Sequence, residues 1–103
     1  MSNVTVSDWS ASINSEDGML AVSCTVTAEG CELAGVGIVA NDAGGRTIAT
    51  CYISLTGEAS SAAAGINVPS GGIADGDTIL IAANGECGGQ HFFEEKRVTV
   101  GAA

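Results

Sequence analysis

GINVPSGGIADGDTILIAAN, residues 65–84, contains the features that decide the fold. It includes the only proline of the chain, Pro69, followed by a turn at Gly71 and Gly72. After an acidic corner at residues 75–77 comes TILIAA, residues 78–83, the longest apolar run in the protein. An isoleucine-rich run of this length, bounded by turn residues, is typical of a central strand buried on both sides. We therefore expect the other segments to be partners of this strand.

Composition and charge limit the classes of function. A chain of 103 residues predicts a single domain over residues 1–103. Twelve Asp and Glu against three Lys and Arg give a net charge of −9, which disfavours nucleic acid and anionic membranes as partners. No apolar segment approaches the roughly 20 residues of a membrane helix, so membrane insertion is not expected. Residues 1–5 carry neither a basic nor an apolar region, so no signal peptide is visible.

The remaining segments predict short strands separated by turns. Alternation changes phase near Ser7 and Asp8, which indicates either a β-bulge in the first strand or a strand that switches sheets. Residues 59–64 fit either one helical turn or a short strand that ends at Pro69, and the strand is favoured. Residues 84–89 are predicted to be a loop. The other expected strands are residues 4–13, 19–27, 31–40, 47–55 and 92–100.

Alternation also predicts which side chains face the core. The second strand shows it most clearly, with apolar residues on one face and small residues on the other. In the third strand, Gly35 and Gly37 are expected to leave room for a neighbouring group to approach closely. The predicted inward residues of these two strands are Leu20, Val22, Cys24, Val26, Val36 and Ile38.

Residues 75–81, DGDTILI, are similar to the Asp-x-Ala/Gly-x-Tyr-x-Cys corner that opens strand F of immunoglobulin domains, with Ile79 and Ile81 at the tyrosine and cysteine positions. The strand order resembles the immunoglobulin-like and fibronectin type III-like superfamily. Trp9 lies in the first strand rather than in strand C, and Cys24 lacks its usual partner, which excludes an antibody-type domain. The resemblance implies an all-β fold, a single immunoglobulin-like antiparallel β-sandwich of about seven strands.

The resemblance also implies a cysteine pairing. If the third strand is C and the sixth is F, then Cys31 and Cys87 lie at the same end of the sandwich, and a disulfide forms if their Cα atoms come within about 7 Å. Cys24 and Cys51 fall within strands, where they form a second bridge or pack as buried thiols. Four cysteines allow three pairings, and Cys31–Cys87 is the favoured one.

Metal sites receive little support from the spacing of donor residues. Cys87 and His91 are the only pair that suggests zinc, and a disulfide or free thiols explain the cysteines better. Acidic turns at Asp75 and Asp77 and at residues 41–42 supply oxygens for calcium but lack the spacing of a calcium loop. We therefore predict no metal and no cofactor.

Catalytic machinery is not expected either. Glu94 and Glu95 are adjacent, so on a strand they point to opposite faces and do not form an acid/base pair. A nucleophilic cysteine beside His91 would need an exposed, activated thiolate, whereas a strongly acidic chain disfavours thiolate formation. The sequence predicts a protein that is not an enzyme, with no catalytic residues.

The function expected from these exclusions is structural. Outward faces rich in Ala, Ser, Thr and Gly pack closely against other proteins at low entropic cost. We expect a non-enzymatic structural or interaction subunit that self-associates or joins a larger assembly, such as a virion coat, decoration or tail, or a surface filament. The alternatives are a secreted binding or adhesion module, with carbohydrate recognition left open by four scattered aromatic residues, and a small metal-dependent enzyme.

Overall fold

The computed structural model describes residues 3–54 and 61–102, which form an all-β sandwich of two four-stranded sheets. These residues include no helix of the length and hydropathy that a membrane crossing requires. The strands are β1 (Asn3–Asn14), β2 (Met19–Glu29), β3 (Leu33–Asn41), β4 (Thr47–Ser54), β5 (Ser61–Pro69), β6 (Thr78–Cys87), β7 (Gln90–Thr99) and β8 (Gly101–Ala102).

The two sheets are antiparallel except at one short contact. Sheet A has the order β5-β2-β1-β8, and sheet B has the order β4-β3-β6-β7. The predicted bulge is confirmed, since the β1–β2 register shifts between Ser7 and Ser10 and Asp8 has a φ of 55°. After Val100 the chain crosses from sheet B to sheet A, where β8 pairs in parallel with Ser12 and Ile13. This two-residue strand was not expected.

The core lies between the sheets and follows the predicted alternation. The inward residues of β2 and β3 are the ones that the sequence indicates, and each is at most 2% exposed. In β6, Ile79 and Ile81 are buried, and the strand is central in its sheet, between β3 and β7. The expected burial on both sides is wrong, because on the outer face Thr78 is exposed and Leu80 is only half-buried. The buried apolar set is Ala11, Leu20, Val22, Cys24, Val26, Ala28, Leu33, Val36, Ile38, Ala40, Ala64, Ile79, Ile81, Ala82, Ala83, Cys87 and Val100.

Glycines bring strands β3 and β6 into close contact with their surroundings. A Cβ at Gly35 would collide with the Tyr52 ring, and one at Gly37 would lie 2.8 Å from the Asn84 side-chain oxygen. On the inner side, a Cβ at Gly85 would meet the Gly35 carbonyl oxygen and the Phe92 ring. The close approach expected at Gly35 and Gly37 is therefore present, and Gly85 adds a third such position.

Several strand limits differ from the sequence-based expectation. Residues 84–87 continue β6 instead of forming a loop, because they pair with β3 on one side and β7 on the other. Residues 61–64 belong to β5, which confirms the strand that ends at Pro69 over the helical turn. Residue 55, the expected end of the fourth strand, and residues 59–60, the start of the segment expected to be a helical turn or a strand, lie outside the described residues.

Hydrogen bonds between loops hold one end of the sandwich together. The amide of Ser70 donates to the Gly18 carbonyl at 3.0 Å, which ties the β5–β6 connection to the β1–β2 turn. The amide of Gly76 donates to the Val100 carbonyl at 2.8 Å, and the amide of Val100 donates to the Asp77 carbonyl at the same distance. The acidic corner before β6 therefore anchors the crossing from β7 to β8.

We expect Gly85→Ala to destabilise the fold by about 1–3 kcal/mol, because the new methyl group overlaps the Gly35 carbonyl oxygen, a backbone atom of the paired strand, as well as the Phe92 ring. Urea unfolding followed by fluorescence measures the change. Gly65→Ala is the matched control, since its Cβ would lie 3.6 Å from the Val22 carbonyl oxygen, an ordinary contact. Equal stabilities of the two variants would contradict the close approach.

Candidate interaction surfaces

The Cys31–Cys87 disulfide is present, as predicted, at the end of sheet B where β6 runs into β7. Its Cα atoms are 5.5 Å apart, and it joins the end of β6 to the segment that precedes β3. The bridge occupies the Cys87 sulfur, so in this state Cys87 and His91 do not form a zinc-ligand pair. The bridge is a structural link between the two central strands of the sheet.

The other two cysteines are free thiols rather than a second bridge. Cys24 lies in the core from β2, and Cys51 is half-buried on the inner side of β4. Burial raises the pKa of the Cys24 thiol, since the anion loses its hydration there. Cys24 therefore packs as a small apolar side chain and not as a nucleophile.

The acidic and basic groups near β7 do not form a catalytic arrangement. Glu94 pairs across the sheet with Ala83 and Glu95 with Ala82, so the two carboxylates point to opposite faces, as predicted. His91 lies 3.3 Å (Nε2 to Oε1) from Glu86, with 83% of its side chain exposed. A pair this open to water is screened and contributes little to stability.

Two of the candidate calcium residues, Asp42 and Asp77, line one shallow cleft, whereas Asn41 and Asp75 are not among its lining residues. Asp42 accepts hydrogen bonds from the amides of Gly44 (3.0 Å) and Arg46 (2.9 Å), and Asp77 accepts one from the Ala74 amide (2.9 Å). Both carboxylates thus stabilise their own turns. Across the described segments, no group of three or more His, Cys, Asp or Glu is placed to hold a metal ion. The cleft measures about 290 Å³ and is lined by Asp42, Ala43, Gly44, Ile73, Asp77 and Thr78.

The outer surface of sheet A is uncharged over twelve neighbouring positions of β1, β2 and β5, and we call it the neutral face. Cross-strand partners share a face, so the register of the three strands defines it. Its side chains are all small. The nearest charges are Asp8, which is exposed in the β1 bulge between Ser7 and Ser10, and Glu29 at one end of β2. The positions are Thr5, Ser7, Ser10, Ser12, Ala21, Ser23, Thr25, Thr27, Ser61, Ala63, Gly65 and Asn67.

The outer surface of sheet B contains an aromatic row. Tyr52, Gly37, Asn84 and Phe93 are partners across β4, β3, β6 and β7. Tyr52 is 60% exposed and Phe93 is 61% exposed, and they are the exposed large apolar residues of the described segments. Three strand spacings, about 14 Å, separate the backbones of the two residues, and the Tyr52 ring leans over Gly35 on β3. Gly37 and the amide of Asn84 form the floor between them.

This row is the arrangement that sequence reasoning missed. The aromatic residues are scattered along the chain, and only the strand register brings Tyr52 and Phe93 into line. The run His91-Phe92-Phe93 in the sequence predicts an aromatic edge that closes the core. Phe92 does pack against the core, whereas Phe93 points outward. Adjacent residues on a strand point to opposite faces, and this alternation was the signal that Phe92 and Phe93 do not both face the core.

Comparison with protein-family models finds no match, and comparison with curated protein sequences finds no significant match. Among solved structures, the chain is similar to Parabacteroides merdae β-glucuronidase, with a TM-score of 0.71 and 11% identity over 96% of this chain and 14% of that one. Bacteroides uniformis β-glucuronidase 3 gives 0.67 and 10% over 96% and 12%. OgpA from Akkermansia muciniphila gives 0.59 and 13% over 94% and 27%. At these identities the likeness concerns the fold alone.

We expect Cys31→Ala to lower the free energy of unfolding by about 4 kcal/mol, because the bridge closes a long loop with a sequence separation of 56 residues in the unfolded chain. Denaturant unfolding measures this loss, and Cys51→Ala, which removes a free thiol, is the control. Alkylation of the unfolded protein followed by mass spectrometry should label two thiols before reduction and four after it. Four labelled thiols without reduction would contradict the bridge.

Proposed function

We propose that this protein is a non-enzymatic structural or interaction subunit, used in many copies in a larger assembly such as a virion coat, decoration or tail, or a surface filament. We also propose that it belongs to the immunoglobulin-like and fibronectin type III-like superfamily. The order of strands in its two sheets and the buried Ile79 and Ile81 after the acidic corner support that membership. In such a module, function lies in the surfaces that the sandwich presents.

The neutral face is the observation that carries the proposal. The chain has a net charge of −9, yet twelve positions on sheet A are without charge, and the only carboxylate within the three strands that borders them other than Glu29 is Asp8 at the β1 bulge. Charged side chains are depleted at the cores of protein interfaces, and two acidic copies approach most easily where neither presents a carboxylate. Small side chains also lose little rotamer entropy when they are covered. These properties fit repeated contact between protein surfaces.

We expect the native protein to associate as its concentration rises, and we expect Ser23→Glu to reduce growth of the assemblies. Ser23 is exposed in the middle of the neutral face, between Ser10 and Gly65. A carboxylate there is buried without a partner in any contact through this face. Light scattering with negative-stain microscopy measures assembly size. Ser15→Glu, which adds the same charge in an exposed turn, is the control. A native protein that stays monomeric at every concentration would contradict the proposal.

A glycan-binding module is the second candidate, and the aromatic row supports it. Aromatic rings stack on sugar rings, and the Asn84 amide between Tyr52 and Phe93 offers both a donor and an acceptor. One of the similar structures is OgpA with an O-glycopeptide substrate, and others are named β-glucuronidases. The acidic chain favours neutral sugars over uronic acids, because like charges repel.

For this candidate, we expect neutral O-glycan oligosaccharides to bind and the variants Tyr52→Ala and Phe93→Ala each to weaken binding by roughly 2- to 10-fold, the range of one aromatic contact. Titration calorimetry measures the affinity. Trp9→Phe should leave it unchanged, because Trp9 packs against the core from sheet A. An affinity that is insensitive to both aromatic substitutions would remove the aromatic row as the binding site.

A further inference from the structure

The free edges of the two sheets differ in their protection against pairing with another chain. Within the described segments, the outermost strands are β4 and β7 in sheet B and β5 and β8 in sheet A. Because β8 pairs with only two residues of β1, the rest of β1 is also open. An open edge presents unpaired backbone N–H and C=O groups, and proteins block such edges with charges, bulges, prolines or short strands.

Three of these edges carry such blocks. β7 has four consecutive charged residues, 94–97, and two of them occupy inward positions opposite the buried Ala83 and Ile81. β1 is interrupted by the bulge at Asp8. β5 is rich in alanine, a weak strand former, and ends at Pro69. Each device disfavours the addition of another strand at that edge.

β4 is the exception. Its pairing with β3 is irregular near Ile48, but residues 49–54, ATCYIS, pair in continuous register. This segment has no charge, proline or glycine, and it contains the strand-favouring residues Thr50, Tyr52 and Ile53. Six-residue uncharged segments of this composition are the ones that add strands from other chains most readily. Both its regular backbone and its sequence therefore favour strand addition.

The distribution of charge indicates what kind of partner fits this edge. Neither β4 nor β3 contains a charged residue, so the first charge reached on the strands of sheet B is Glu86 on β6. That strand lies two spacings from the edge, about 10 Å, which exceeds the Debye length of about 8 Å at physiological salt. Two copies of a chain with a charge of −9 can therefore approach along β4 with little repulsion from their sheets.

We infer that the β4 edge pairs antiparallel with the β4 edge of a second copy of this chain, around a two-fold axis. The two copies of sheet B then form one continuous eight-stranded sheet, β7-β6-β3-β4 followed by β4-β3-β6-β7. A two-fold contact is self-complementary, since each edge meets an identical edge. This inference rests on the proposed function and names one contact of the proposed assembly. Edge pairing stops at two copies, so growth of a larger assembly needs a further surface, such as the neutral face.

We expect Thr50→Glu to weaken pairing at least roughly tenfold, because the two-fold axis puts one added carboxylate from each copy into the new strand pair, where the charges repel and neither gains a partner. Thr50 is exposed on the outer side of β4. Thr99→Glu is the matched control, with the same substitution on the same sheet face but on the charged edge strand β7. Sedimentation velocity over a concentration series measures the dissociation constant of the pair. For the native protein this dissociation constant should fall when salt is added, because salt screens the repulsion between the net charges of the two copies.

Three outcomes overturn the inference, and they separate it from the proposed function. If Thr50→Glu pairs as tightly as the native protein while Ser23→Glu blocks assembly, the β4 edge is wrong and the proposed function stands. If Thr99→Glu weakens pairing as much as Thr50→Glu, the effect is general repulsion and not edge pairing. If the native protein is monomeric at every concentration and salt, both proposals fail.

Hydrogen exchange gives a readout that does not depend on a variant. Backbone amides that point out of a free edge exchange quickly, and new pairing slows their exchange. On passing from dilute to concentrated protein, we expect slower exchange within residues 49–54 and unchanged exchange in β7 and β5. Slower exchange in β5 or β7 with none in β4 would overturn the assignment of the edge.

Discussion

The pairing of β3 with β6 is the interaction on which the rest of the structure depends. These strands form the middle of sheet B, and each supplies buried side chains to the core. They tolerate very close neighbours because glycines stand at the tight points, with Gly85 against the Gly35 carbonyl. The Cys31–Cys87 bridge then fixes the two strands at one end. The edge strands β4 and β7 are positioned by this pair, and sheet A packs over its inner face.

Much of this could be predicted because burial imposes a period of two on the sequence. In β2 the alternation is unbroken from Leu20 to Val26, so both the strand and its inner face followed directly. The disulfide followed from the resemblance to immunoglobulin-like domains, which makes β3 and β6 antiparallel neighbours and so places Cys31 and Cys87 at the same end. Local pattern and tertiary arrangement agree in these elements, and such agreement makes a prediction from sequence succeed.

The remaining features depend on contacts between distant segments. Asn84 and Gly85 favour turns locally, but strands on both sides bind their backbone groups and hold them in β6. The aromatic row depends on three successive registers, each set by packing rather than by the residues of the row. β8 has only two residues and pairs with β1, about ninety positions earlier in the chain, so no local signal marks it. The candidate interaction surfaces were therefore harder to predict than the core.

The parallel contact between β1 and β8 has a mechanical consequence. Residue 3 lies at one end of the sandwich, and the chain leaves β8 at the other end, in the direction in which β1 runs. Tension applied between residues 3 and 102 pulls these two strands in opposite directions along their length. Their hydrogen bonds lie across the direction of pull, so they are loaded in shear and have to break together rather than one after another. The crossing from sheet B to sheet A thus places a contact that is loaded in shear between the two ends of a molecule with a long axis of 41 Å.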